Sequence, residues 1–359
     1  MVGMLYLYWM FLSTAVMSAD LFRNGRILFR PTTVRLVTLF CVLYIIPSIL
    51  NFQQGSLRSI ERIVCFYVCF LFIYKHSKIH LNTILTSLSL VYGFFIAANF
   101  ILFILFPNGL YSISHSTHHN SMLLGDDNAV IYVALPGLIC LVCHSLQKFG
   151  RITRFVWFCI VSTVLTLIIL WAASGMVCAL MFAIFLLAHR YFDNKSPFWF
   201  FGGVVAAVIV CIFCLSVPVI ANIIEGSLEK DITLSGRTFL WEQAFAYIAQ
   251  KPLFGWGGYF LNGIFVLGRD LYYPCHTQYL QMIIDGGMVL FASYVALIIH
   301  LFSIMKKYYE KKSAYVLTIG LSFMMVNYIT EWSPHNHFFI IAALISALPY
   351  YKRDCLRLI

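Results

Sequence analysis

Two residues in the second half of the chain have the chemistry to act on a charged substrate. Arg237 stands in the run SGRTFLWEQAFAYIAQKPLFGWGG, and His276 stands in CHTQYLQMIIDGG. Ser235 reads as an N-cap, which puts Arg237 in the first turn of a helix over 236–250. A cation there faces the positive end of the helix dipole. Free N–H groups and a guanidinium pointing the same way form an anion site, and the forked guanidinium suits phosphate. The plainer alternative is an arginine that snorkels to lipid headgroups or pairs with Glu242 or Asp231. His276 lies where a polar loop meets an apolar run. An imidazole exchanges a proton near neutral pH; the alternative is an interfacial capping residue.

Other residues are candidates to support this pair. Trp241 is one turn after Arg237, on the same face. Gly255, Gly257 and Gly258 flank Trp256 and permit a close backbone approach, either to a ligand or in a helix-ending turn. Gln278 and Gln281 line the same mouth as His276. Asp285 falls two to three turns into an apolar span, where acids are rare and either functional or hydrogen-bonded. Its neighbours Gly286 and Gly287 point to a helix break or close packing. Arg58 and Arg62 are four apart and form a possible second phosphate clamp, although Glu61 beside them also fits an ordinary ion pair. His115, His118 and His119 with Asp126 and Asp127 make a poor metal set, since His118 and His119 are adjacent in a loop that reads as flexible. His335, His337 and Glu331 sit in a short outer turn as caps or as part of a cleft wall.

These residues belong to a chain built for lipid. It is 61% hydrophobic and 11% charged, with mean hydropathy +0.87; soluble domains carry about a quarter charged residues. The expected fold is an all-α polytopic membrane protein. Spans are read near 4–19, 33–50, 61–74, 84–106, 127–146, 154–171, 175–191, 198–220, 277–304, 314–330 and 336–350, about eleven in all. The first lacks a basic leader and reads as a span, not a cleaved signal. The eleven cysteines fall mostly in apolar runs, so Cys140/Cys143 and Cys211/Cys214 read as packing despite their C-x-x-C spacing.

Charge orients the spans. With the N-terminus outside, eighteen of the 24 basic residues fall on the inner side, among them Arg23, Lys75, Lys78, Arg151, Lys195, Lys311 and Lys352. Inner loops are the basic ones, so the chain is expected to run N-out, C-in. The net charge of +10 then reflects these loops, with no nucleic-acid partner implied. Three regions are expected: an N-terminal bundle of about eight spans over 1–220, an outer loop over 221–276, and about three spans over 277–359. The loop is too rich in Trp and Phe for disorder, and its helix is too short and polar to span.

The stretch SGRTFLWEQAFAYIAQKPLFGWGGYF, followed by HTQYLQMIIDGGMVLF, resembles the O-antigen ligase and O-antigen polymerase superfamily. The matching positions are Ser235, Gly236, Arg237, Trp241, Pro252, Gly255, Gly257, His276, Leu280 and Gly286. The resemblance implies glycosyl transfer at the periplasmic face of a bacterial inner membrane, from a glycan on undecaprenyl pyrophosphate. It implies an inverting reaction without metal, cofactor or nucleotide sugar. Arg237 inherits the hold on pyrophosphate and His276 the activation of the acceptor hydroxyl. A chain-length regulator and a flippase in the same membrane are the implied partners. Two positions depart from the pattern: Thr277 follows His276 where the family often has Asn, and WAASGM around Ser174 and Gly175 lacks the family's arginine. A second phosphate ligand then comes from Arg58, Arg62 or Arg269, or is absent. Trp241, Trp256 and Tyr259 are candidate sugar platforms or interface anchors.

The expected activity is polymerisation of lipid-linked repeat units. The alternatives are ligation of the glycan to lipid A–core and, in another class, transport of the lipid-linked sugar. A transporter should carry charge along a central cavity through many spans, whereas this chain keeps its basic residues in loops and at helix ends.

Overall fold

The computed structural model describes residues 2–23, 31–52, 55–107, 109–110, 122–125, 128–192, 195–216, 237–258, 264–266, 271–273, 275–331 and 336–352. The helices are α1 (Val2–Arg23), α2 (Thr32–Leu50), α3 (Ser56–Leu105), α4 (Ala129–Phe149), α5 (Arg154–Ile169), α6 (Ala173–Leu187), the single turn α7 (His189–Phe192), α8 (Pro197–Ser216), α9 (Arg237–Gln250), α10 (Gln278–Lys307), α11 (Lys312–Thr330) and α12 (Asn336–Ser346). The protein is therefore helical and polytopic. Among the described residues five helices, α2, α3, α4, α10 and α11, are long and apolar enough to cross a membrane. Others are short apolar helices of the kind that lie at or partly through a bilayer.

Two features depart from the sequence reading. The basic stretch 75–83, expected as a loop between two spans, is helical, and α3 runs through it with one non-helical residue, His80 (φ −125°, ψ 42°). No Gly or Pro stands there to stop a helix. The long loop expected over 221–276 also holds a two-stranded antiparallel ribbon, β1 (Ile264–Val266) paired with β2 (Leu271–Tyr273). Its Ile, Val and Tyr residues are good strand formers, and three residues per strand are too few to show as alternation.

The chain forms two compact units. The first comprises Met1–Phe72, Gly203–His300 and Tyr328–Asn336. Its core is built on α2, the start of α3, α9 and the first part of α10, where Phe40, Tyr44, Ile63, Ala244, Ile284 and Tyr294 are buried. The second comprises Ile73–Gly202, Leu301–Asn327 and His337–Ile359. Here α4 is buried along most of its length, and small residues let its neighbours approach closely. A Cβ on Gly175 would stand 3.1 Å from Ile131, and one on Gly137 2.9 Å from Tyr92. Cys140 and Cys143 are fully buried in this packing and form no disulfide. Lys311, itself buried, donates to the carbonyls of Leu348, Pro349 and Tyr351 at 2.8, 3.2 and 2.7 Å, closing the chain end that follows α12.

Candidate functional site

The candidate site lies within the first unit and is organised by a break in α10. At Gly287 the backbone takes φ +70° and ψ −172°, so the helix stops and restarts. Residues with a Cβ resist that conformation. A break leaves carbonyls without partners on one side and N–H groups without partners on the other, and at membrane depth each such group costs several kcal/mol on the order of magnitude expected in hydrocarbon. The PLFGWG turn fills the gap from both sides. Trp256 and Gly257 donate to the carbonyls of Ile284 and Asp285 at 2.7 and 2.8 Å, while Pro252 and Leu253 accept from Met288 and Val289 at 2.8 and 3.3 Å. The close approach that the glycines permit is thus to the broken helix. Gly257 (φ +91°) also lies on the end of α2, where a Cβ would stand 2.7 Å from the Ser48 Cα, and the Gly258 N–H donates to the Ser48 hydroxyl at 2.7 Å.

This turn is joined to α9. The Trp256 indole donates to the Tyr247 carbonyl at 3.0 Å, its ring meets Tyr247 edge-on, and the Lys251 ammonium lies 4.1 Å above it. Lys251 also bonds the Asn51 side chain. On α9, Leu240 and Ala244 are buried, whereas Phe245 is 59% exposed. Ala244 packs with Cys275 and Ile284, and the Trp241 indole donates to the Cys275 carbonyl at 2.9 Å. Both tryptophans read as sugar platforms therefore use their indole N–H groups to hold the fold.

His276 follows directly and adopts φ +50°. A left-handed conformation at a non-glycine residue costs ~1–3 kcal/mol and persists only where the surroundings enforce it. Here both flanks are pinned. Cys275 is held by Trp241 through its carbonyl, and its N–H faces the Gln281 side chain at 3.5 Å. Thr277 is buried; its hydroxyl donates to the Tyr328 carbonyl at 3.3 Å, and its own carbonyl accepts from the Gln281 N–H at 3.2 Å, starting α10. The imidazole itself is 35% exposed. Its Nδ1 stands 3.9 Å from a carboxylate oxygen of Glu331, which is only 2% exposed. That separation exceeds a hydrogen bond but lies within ion-pair range. An exposed base backed by a buried acid is the arrangement of a nucleophile-activating pair. Sequence reasoning placed Glu331 in an outer turn but missed this pairing; the available signal was a lone acid at the end of an otherwise apolar span.

Asp285 is buried in the first part of α10 and has two donors. Gln281 Nε2 donates to it at 2.9 Å, and the Tyr44 hydroxyl of α2 also bonds it. Arg62, half-buried, lies within electrostatic reach of Tyr44, whereas Arg58 is exposed on the first turn of α3. Gln278 is buried at the first position of α10. The structure thus gathers Trp241, His276, Gln281, Asp285, Arg62 and Glu331 into one unit and leaves Arg58 on its surface. Arg237 is the first residue of α9, one turn before Trp241; its side chain lies outside the described residues. So do Arg269, Tyr259, His335, and His115, His118 and His119 with Asp126 and Asp127. Among the described residues no three His, Cys, Asp or Glu groups form a metal-ligating set. Burial pushes the Cys275 thiol up, so this cysteine packs as a neutral group.

Comparison with known proteins covers the same region. Residues 155–295 match the family described as O-antigen ligase. Over 100 residues the chain is 29% identical to the exopolysaccharide production protein ExoQ of Rhizobium meliloti (strain 1021), an alignment spanning 25% of this chain and 22% of that protein. The family match takes in α9, the helix-break turn and His276. This stretch of the chain, well under half of its length, is thus similar to the O-antigen ligase family.

Proposed function

We propose that the protein joins lipid-linked glycan units into a surface polysaccharide at the periplasmic face of a bacterial inner membrane. The donor is a glycan on undecaprenyl pyrophosphate. An acceptor sugar hydroxyl attacks the anomeric carbon, the bond from that carbon to the pyrophosphate oxygen breaks, and the configuration inverts. His276 takes the proton from the attacking hydroxyl, and Glu331 stabilises the imidazolium that forms. Arg237 and the N–H groups at the start of α9 neutralise the departing pyrophosphate. Arg62, half-buried in the same unit, is better placed than the exposed Arg58 to add a second positive charge.

The observation that carries this reading is His276: exposed, conformationally strained, and backed at 3.9 Å by a buried carboxylate. The register of α9 supports Arg237, because the position one turn before Trp241 shares its face, and Trp241 reaches the residue next to His276. Polymerisation is favoured over ligation by the likeness to a protein named for exopolysaccharide production. Ligation is the second reading, supported by the O-antigen ligase description of the family match.

Deletion of the gene, followed by electrophoresis of surface glycans, separates the readings. A core bearing one repeat unit indicates a polymerase. A bare core with polymer left on undecaprenyl pyrophosphate indicates a ligase. Repeat units stranded on the cytoplasmic face would overturn both in favour of a transporter. Restoration by wild-type protein but not by Arg237→Ala or His276→Ala ties the activity to these two residues.

A further inference from the structure

The second unit holds a cavity of about 340 Å³ that the proposed reaction does not use. It is lined at the break in α3 by Ser77, Lys78, His80 and the following turn, and from the other side by Gln147 of α4 and by Lys352. None of its lining residues is acidic. Two lysines and a histidine therefore face one small volume without a carboxylate among them.

Three further features make this a built site. His80 is the non-helical residue inside α3, and 25 helical residues follow it; N–H groups at the start of a helical run are oriented to meet an anion. Ser77 is fully buried, and its hydroxyl has no hydrogen-bond partner among the described residues. Lys352 is held in place: its N–H donates to the Gln147 side chain at 3.0 Å, Gln147 is in turn fixed by Ser313 at 3.2 Å, and Lys311 closes the preceding carbonyls.

We propose that this cavity binds a phosphate group. Two ammonium groups supply charge, the restarted helix supplies oriented N–H donors, and the Ser77 hydroxyl gains the partner it lacks. The charge pattern of the sequence assigns all three segments that meet here to the basic, inner side. The phosphate is carried either by an anionic phospholipid headgroup or by a free phosphate ion.

The test uses the full chain purified in neutral detergent. Its melting temperature is followed against inorganic phosphate, with chloride at matched ionic strength as reference, and against phosphatidylglycerol, with phosphatidylcholine as reference. A ligand that binds the folded state raises the melting temperature by an amount that grows with the logarithm of one plus its concentration over Kd. Stabilisation by inorganic phosphate identifies a free-phosphate site; stabilisation by phosphatidylglycerol alone identifies a headgroup site. For whichever probe binds, Lys78→Gln/Lys352→Gln is expected to weaken apparent affinity about tenfold and Ser77→Ala about threefold, the weights expected of charged and neutral donors. Lys195→Gln, on an exposed basic residue elsewhere, should leave it unchanged. If the double variant does not fold, Ser77→Ala decides alone. The proposal is overturned if the wild-type protein is stabilised by neither probe, or if every folded variant binds as the wild type does.

Discussion

Trp241 and His276 are coupled through one carbonyl. The Trp241 indole donates to the oxygen of Cys275 at 2.9 Å, and Cys275 leads directly into the left-handed backbone of His276. A side chain on α9 therefore fixes where the candidate base points. Trp241→Phe keeps an aromatic ring, though a smaller one, and removes the donor. The expected stability loss is small, about 1 kcal/mol, as for one neutral hydrogen bond. The expected loss of glycan-joining rate is larger, about 10- to 100-fold, because a small misplacement of a reacting group is costly. Thermal unfolding in detergent beside a rate measurement on lipid-linked substrate checks the split. Equal, minor effects on both would reduce Trp241 to packing.

The pairing of His276 with Glu331 makes a coupled prediction. His276→Ala should lower the rate by about 10²–10⁴-fold, the range for loss of a general base. Glu331→Gln, similar in shape but uncharged, should lower it about tenfold or more. Groups that act as a unit are not additive, so the double variant should be no slower than His276→Ala alone. Multiplying effects in the double variant would separate the two residues.

Gly257 should be intolerant of any side chain. It combines φ +91° with backbone of α2 at 2.7 and 2.8 Å from the position a Cβ would take. Gly257→Ala is expected to cost at least ~1–3 kcal/mol through strain and displacement. Gly202, in α8, has nothing within 4 Å of that position. Gly202→Ala should be neutral or stabilising by up to about 1 kcal/mol, from helix propensity. Melting temperatures of the two variants, measured side by side, report the contrast.

Asp285 accepts from Gln281 and Tyr44 inside the protein. Asp285→Asn keeps one acceptor oxygen and should preserve most of the fold and most of the rate per folded molecule. Asp285→Leu leaves two donors unsatisfied and should destabilise by ~1–3 kcal/mol for each. A rate loss of more than about 100-fold in a well-folded Asp285→Asn protein, the scale of a directly reacting group, would place Asp285 in the chemistry instead.

Much of this architecture is written locally. The apolar runs became helices at nearly the positions that hydropathy marks, and α9 (Arg237–Gln250) lies between a Ser-Gly start and a Pro-Gly stop. Gly286 and Gly287 signalled the break in α10, because only glycine takes that backbone conformation without strain. Such features depend on periodicity, capping and the conformational range of single residues, all of which can be read within one short window. The basic stretch 75–83 shows the limit of that reading: its charges suggested a loop, while its helix propensity, uninterrupted by Gly or Pro, carried α3 through it.

Partnership across the chain was decided only by tertiary structure. The sequence alone marked His276 and Glu331 as residues on one expected side of the membrane, and folding brought them to 3.9 Å. Asp285 was visible as a buried acid, but Tyr44, its partner on α2, carried no signal among many tyrosines. The glycines of FGWGG signalled a close approach without naming what is approached, and the answer proved to be the gap in α10. The physical reason is the same in each case. A residue's type states which bonds it needs, but the identity of its partner depends on how separate helices pack, and no local pattern encodes that.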